Sequence, residues 1–328
     1  MPSKKIKMNY LSLIICTHNR ANTISNLINY FDAHVFVPKN LMLEILVVDN
    51  HSTDSTRQVI ELKISSYRLY NLRYIYEKAL GLSNARNKGI KESKHLFIGF
   101  LDDDSVPEKD YLFAITDALE KYQNVQCFSH RVINIPEILP VWYRLDGKYR
   151  MINRGNYDLG DRSRFLNEFD QLPIGSGMIF CKNIFEKYGN FDPRFGYDVT
   201  KSMLIPGEET ELFLKIIKDN VPIYYIHNAI VKHYPKSGKY DLITLCKTYL
   251  GIGYWYGRKD ALNKIKSKIT SHFGFPIAYY KRLFLVSIFF AISRCTNNIT
   301  IKNYYLFQLK KIWGQFLGYK EFKKIANQ

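Results

Sequence analysis

Cysteine is scarce and scattered: Cys16, Cys127, Cys181, Cys246 and Cys295 make an odd number with no Cys-x-x-Cys pair. That excludes a disulfide framework and a zinc ribbon, and it fits a reducing compartment. No Gly-x-Gly-x-x-Gly follows an apolar run and no Gly-Lys-Ser/Thr occurs, which speaks against dinucleotide and P-loop sites. A signal peptide is lacking too. Behind the basic start MPSKKIKMNY the apolar stretch 11–16 holds six residues, too few for one, so the expected location is the cytoplasm. No apolar run reaches the roughly 20 residues that spanning a bilayer takes. The longest, 273–292, is interrupted by Lys281-Arg282, which leaves ten residues at 283–292. A core helix and a helix lying in a membrane interface both fit that stretch.

Acids are nearly missing from the last third. Residues 232–328 hold 18 Lys and Arg against Asp241, Asp260 and Glu321, which places +15 of the chain's net +17 there. The first 231 residues are close to neutral, so the basicity says little about their chemistry. There is no internal repeat and no low-complexity tract. The chain has 328 residues, 46% hydrophobic and 15% aromatic, enough for one large α/β domain with a C-terminal extension.

Strand-like runs at 11–17, 43–48, 72–76 and 95–101 alternate with helical patterns at 22–31, after Ser52-Thr53-Asp54, and at 83–91. Such alternation predicts parallel βαβ units in a doubly wound sheet with helices on both faces, and ligands bind such sheets at the strands' carboxyl ends. The stretch 131–172 reads as a loop-rich insertion, the kind of segment that selects a second substrate. Further strands are expected at 175–181, 222–226 and 229–232, and helices at 183–188 and 208–218, the last with Leu212, Phe213, Ile216 and Ile217 on one face. The 240–261 region is aromatic and helical in pattern.

Chemistry-bearing residues gather at the predicted strand ends. The first ends in Cys16-Thr17-His18-Asn19-Arg20 and the second in Val48-Asp49-Asn50-His51, polar groups suited to a base or ribose. Gly81-Leu82-Ser83-Asn84-Ala85-Arg86 supplies a turn and an arginine that can pair with phosphate or a base edge. The fourth ends in Asp102-Asp103-Asp104. Two readings fit this triplet: an acidic turn capping a helix near Pro107, with Ser105 or Asp104 as cap, and a site for a divalent cation carrying phosphates. Glu208-Glu209 opens a helix, where acids complement the helix dipole or provide a general base. His233 is either structural or a ligand beside carboxylates.

In this order, Val-Val-Asp-Asn, Gly-x-Ser-x-Ala-Arg-Asn-x-Gly-Ile, Phe-Leu-Asp-Asp-Asp, Gly-Ser-Gly, Gly-Glu-Glu-x-Glu-Leu and a late His resemble family 2 glycosyltransferases of the GT-A type, from about Leu11 to His233. The resemblance implies a GT-A-type mixed sheet, a nucleotide-sugar donor (a UDP-sugar), Mn²⁺ or Mg²⁺, and transfer with inversion. Carried over by position, Thr17, Asn19, Arg20 and Asp49 would border the nucleotide, and Arg86 its base or phosphate side. Asp102 would face the ribose and Asp104 would bind the metal, with His233 as a further metal or diphosphate ligand. Glu209 would be the catalytic base, with Glu208 as the alternate, since the family's pair is commonly Glu-Asp. The Gln-x-x-Arg-Trp motif of processive members is absent, so a single hexose or N-acetylhexosamine would be transferred. The implied acceptor is a glycan or lipid-linked glycan of bacterial surface polysaccharide assembly. Residues 1–235 would be catalytic. Residues 236–328 would form a basic, aromatic-rich helical extension docking on anionic lipid at the inner face of the cell membrane.

Three rivals stand beside this reading: a nucleotidyltransferase, a metal-dependent phosphodiesterase built on the acids and His233, and a non-enzymatic basic module binding membrane or nucleic acid. The first usually carries a Gly-rich basic loop where Cys-Thr-His-Asn-Arg stands here. The last leaves the acids unexplained, and no nucleic-acid motif is present, so nucleic acid is not an expected partner.

Overall fold

Alternating apolar runs and amphipathic segments set the order of elements in the computed structural model, which describes residues 8–66, 71–152, 155–198, 203–236, 238–264, 275 and 277–326. The basic start before Met8, residues 199–202, and positions 273, 274 and 276 of the apolar run lie outside the described residues. The chain opens with β1 (Asn9–Thr17), α1 (Ala21–His34), β2 (Leu41–Asp49), α2 (Thr56–Ser66), β3 (Asn71–Tyr76), α3 (Leu82–Glu92) and β4 (Phe97–Asp102). It continues through β5 (Ser105–Pro107), α4 (Tyr111–Lys121), β6 (Cys127–Asn134), β7 (Arg164–Phe165), β8 (Met178–Cys181) and α5 (Asn183–Tyr188). Then come β9 (Gly196–Asp198), β10 (Met203–Ile205), α6 (Glu208–Lys218), β11 (Ile223–His233), α7 (Leu242–Lys264), α8 (Ile277–Arg294) and α9 (Ile299–Ala326).

Two compact units form. The first comprises residues 1–136, 154–193 and 208–235, the second 137–153, 194–207 and 236–328. The first holds a mixed sheet in the order β3-β2-β1-β4-β8-β6-β11-β5, with β7 added on β11. β1 runs parallel to β2 and β4, and β8 runs antiparallel to β4 and β6. Side chains of a strand alternate between faces. Leu11, Leu13 and Ile15 therefore join α1 and α4 residues such as Phe31 and Ile115 on one side. Ile14 joins Ala85, Phe185 and Phe213 of α3, α5 and α6 on the other. Gly89 lets α3 approach β1, because a Cβ there would lie 2.6 Å from Ile14 Cγ2. Helices thus cover both faces, as the alternation predicts.

Local departures from the sequence reading each have a physical cause. No helix starts near Pro107. Ser105–Pro107 is instead a short strand paired antiparallel with β11, and proline is tolerated because β5 is an edge strand. The helix begins at Tyr111. The two strands expected at 222–226 and 229–232 are one strand, β11, with a register shift against β6 between Ile226 and Ile230. Residues 175–177 form a 3₁₀ turn ahead of β8, because Gly-Ser-Gly lacks strand-forming side chains. Along α6, Leu212, Phe213 and Ile216 are buried but Ile217 is 40% exposed.

In the second unit, α7 and α9 pack backbone to backbone. Gly253 and Gly257 on α7, and Gly314 and Gly318 on α9, each recur after four residues. A Cβ at any of them would overlap a carbonyl of the facing helix. Tyr249 stacks on Phe307 with centroids 4.9 Å apart and planes 10° from parallel. Among the described residues, no helix is long and apolar enough to cross a membrane.

Candidate active site

Sheet register assembles the site. Thr17 pairs with Asp49, and Cys16 with Asp102, so the carboxyl ends of β1, β2 and β4 lie side by side. On β11, His233 pairs with Ser105 of β5 and with Asn134 of β6, and the Tyr234 N–H donates to the Asp104 carbonyl at 2.8 Å. The short strand β5 therefore carries the acidic triplet to a histidine about 130 residues later in the chain.

The three acids divide. Asp103 is buried, accepts a hydrogen bond from the Thr17 hydroxyl at 2.7 Å and pairs with Arg20. Burial pushes its pKa up to about 6, against the pull of Arg20. Asp104 pairs with Arg20 at 3.0 Å and lies 3.3 Å from His233 Nε2. Asp102 is the most open of the three, with a side chain 38% exposed and 3.8 Å from Arg86. Its backbone N–H donates to Ser176 Oγ at 2.9 Å. One oxygen each from Asp102 and Asp104 and one nitrogen of His233 lie within 4.8 Å of one another. The His233 ring is held from behind: Nδ1 contacts Asn134 Oδ1 at 2.9 Å, and a Cβ at Gly155 would overlap the ring. With Nδ1 turned to that amide oxygen, Nε2 is the ring nitrogen that faces Asp104.

Arg86 organises a second cluster. It is buried, pairs with Glu208 at 3.0 Å, and stays charged because Glu208, Glu209 and Asp102 outweigh the burial. Gly175 makes room for it, since a Cβ there would overlap the guanidinium. Glu209, next to Glu208, is half-buried, and its Oε2 is occluded without a hydrogen-bond partner. Burial first, and Glu208 second, push its pKa up to about 8 although Arg86 pulls it down.

The third group lies at the end of β2. Asp49 is buried and accepts from the Ser52 N–H at 2.9 Å and the Tyr74 hydroxyl at 2.8 Å. Asn19, at φ 51°, accepts from the Thr53 N–H at 2.7 Å. Asn50 accepts from the Gly81 N–H at 2.8 Å and donates to the Ala79 carbonyl at 2.7 Å, tying this edge to the start of α3.

The family model for glycosyl transferase family 2 matches residues 12–189, which hold most of β1, all of β2 to β8, and both clusters except Glu208, Glu209 and His233, while β11 lies outside the match. The chain belongs to glycosyltransferase family 2. Escherichia coli chondroitin synthase is 23% identical over 91% of this chain, and the match spans 44% of that protein's length. S. aureus TarS, solved with UDP-GlcNAc, superposes with a TM-score of 0.51 at 13% identity, covering 98% of this chain and 92% of that one. GalNAc-T7, solved with UDP, GalNAc and Mn²⁺, gives 0.52 at 15% identity over 77% and 51% of the two chains. At these identities the superpositions show a shared GT-A-type fold.

Within this family 2 fold, Arg20, Asp104 and His233 come together, and so do Arg86, Asp102 and Glu208. Asp49 and Asn19 make up the third group. Asn134 and Gly155 carry no signal in the sequence that marks them for this site, and Asp103 and Ser176 stand in motifs of the resemblance without a role of their own. Their roles come from tertiary contacts: Asp103, in the turn after β4, accepts from the Thr17 hydroxyl at the end of β1.

Proposed function

We propose that the chain transfers one hexose or N-acetylhexosamine from a UDP-sugar, with inversion, to a hydroxyl of a glycan or lipid-linked glycan. The observation that carries this reading is that Arg86 lies between Glu209, whose occluded Oε2 has no hydrogen-bond partner, and Asp102 of the Asp102, Asp104 and His233 cluster. Two carboxylate oxygens and an imidazole nitrogen are a donor set suited to Mn²⁺. When bound, such a cation offsets charge on the leaving diphosphate. TarS with UDP-GlcNAc and GalNAc-T7 with UDP, GalNAc and Mn²⁺ support the same choice of donor and metal.

The chain's own groups take distinct roles. Arg20 holds Asp103 and Asp104 in place before any ligand arrives. Asn134 and Gly155 fix the His233 ring. Arg86 engages Glu208, which leaves Glu209 as the base. A carboxylate in that role contributes roughly 10²–10⁴-fold to the rate. Asp102, which the resemblance turned toward the ribose, lies with Asp104 on the cation side, and Asp103 is held by Thr17, so within the acidic triplet no carboxylate is left as a nucleophile, which favours single displacement. In a bacterial cell the glycan made would be a surface polysaccharide, built on the cytoplasmic side.

Titration calorimetry with UDP tests the reading. Binding should require Mn²⁺ or Mg²⁺, Asp104→Ala should abolish the metal dependence, and Glu209→Gln should keep binding but lose transfer. Tight UDP binding indifferent to metal and to Asp104→Ala would remove Asp104 from its role.

A further inference from the structure

Helix α8 has two unlike faces. Tyr279 and Ser293 are buried, with Leu283, Val286 and Phe290 half-buried between them, a spacing of three and four residues that makes one face. That face packs in the unit containing α9, where Phe289 at its margin stacks on Tyr305 at 5.6 Å. The other face carries Phe284, Leu285, Ile288, Phe289 and Ile292, all between 40% and 66% exposed. On a helix turned to water these positions are polar. Here Phe284, Ile288 and Ile292 form a line along the helix, with Leu285 and Phe289 beside it.

Charge frames this stripe. Lys281 and Arg282 lie at one end and Arg294 at the other, all exposed. Residues 261–320 contain ten Lys and Arg and no Asp or Glu.

We propose that the outer face of α8 lies in the plane of an anionic lipid surface, its apolar side chains in the acyl boundary and its flanking cations on the headgroups. A lipid surface supplies both things the face requires, apolar depth and negative charge at the rim. A second copy of the chain supplies only the first. Pairing two α8 faces would set Lys281, Arg282 and Arg294 against a like-charged surface, because the acid beside α8, Asp260, accepts from the Tyr279 hydroxyl on the packed face. Among the described residues α8 is not long and apolar enough to cross a bilayer. The proposal stands apart from the reading of the catalytic site, since none of these residues belongs to it.

Flotation of the full chain tests it, with vesicles of phosphatidylcholine alone and vesicles in which a third of the lipid is phosphatidylglycerol. Association should be at least about tenfold stronger on the anionic vesicles and should weaken as salt rises. The double variant Phe284→Glu, Ile288→Glu, at exposed positions, should lose at least about tenfold in partitioning. Its circular dichroism and UDP binding should be unchanged. Equal flotation on both vesicle types, no flotation on either, or flotation of the variant like that of the unaltered chain overturns the proposal. A dimer seen in sedimentation and lost in the variant assigns the face to a second copy and overturns it as well.

Discussion

Replacing Glu209 by Gln should make the protein more stable while removing its activity, and the gain in stability should grow with pH. Burial pushes the carboxyl from an ordinary value of 4.5 up to about 8. Between those values the folded state keeps a proton that the unfolded state has released. Unfolding there releases a proton, so the stability of the unaltered protein falls as pH rises. Each pH unit in the window is worth about 1.4 kcal/mol, which makes the cost about 3 kcal/mol at pH 7 and absent below pH 4. Gln carries no titrating proton and escapes that cost. Urea unfolding of both proteins from pH 4.5 to 8.5, followed by circular dichroism, measures the difference directly. The unaltered protein's kcat/KM should rise with pH and level off near pH 8, because only the ionised carboxyl accepts a proton. A stability difference that stays flat between pH 5 and 8 would refute the burial argument, and transfer by Glu209→Gln at an undiminished rate would refute the assignment of the base.

Four other substitutions probe the packing behind the site and in the second unit. Gly155→Ala combines a residue at φ 80° with a Cβ overlapping the His233 ring, so Mn²⁺ affinity by calorimetry should fall about 10–100-fold, as it should for Asn134→Leu. Gly175→Ala should push Arg86 off Glu208, costing about 1–3 kcal/mol in urea unfolding and weakening UDP binding. Gly257→Ala sets a methyl against the Gln315 carbonyl, a backbone atom that cannot turn aside. The α7–α9 pair should then lose about 3 kcal/mol or more, seen as an earlier loss of helical signal on heating.

Much of the first unit is legible in the chain. Strands 11–17 and 43–48 are continuous apolar runs because both faces of the sheet are covered, and burial on both sides removes polar residues from them. The helix Glu208–Lys218 is legible through its 3.6-residue period and its acids in the first turn. Less legible were Ser105–Pro107, whose three residues carry no period, and the bulge in β11, which local sequence presents as a gap between two strands. Helix α9 lies in a stretch where aromatic and basic residues alternate too evenly to define a face, and its packing rests on glycines spaced four apart.

The site divides in the same way. Asp102, Asp104, Arg86, Glu209 and His233 are legible as residue types in a given order, since order along the chain is a property of sequence. Which acid meets which partner is not. Asp103 turns to Thr17, Asp104 reaches His233, and Glu208 is taken by Arg86, because strand register and burial decide which oxygens meet which partners. The raised pKa of Glu209 belongs to structure alone, since it comes from exclusion of water and the nearness of a second carboxyl. Sequence by itself determined the alternating α/β architecture, the chemical inventory and the basic tail, all of which follow from local pattern and composition. Tertiary structure decided the pairing of that inventory and which face of α8 stays uncovered, because both depend on contacts between residues far apart in the chain.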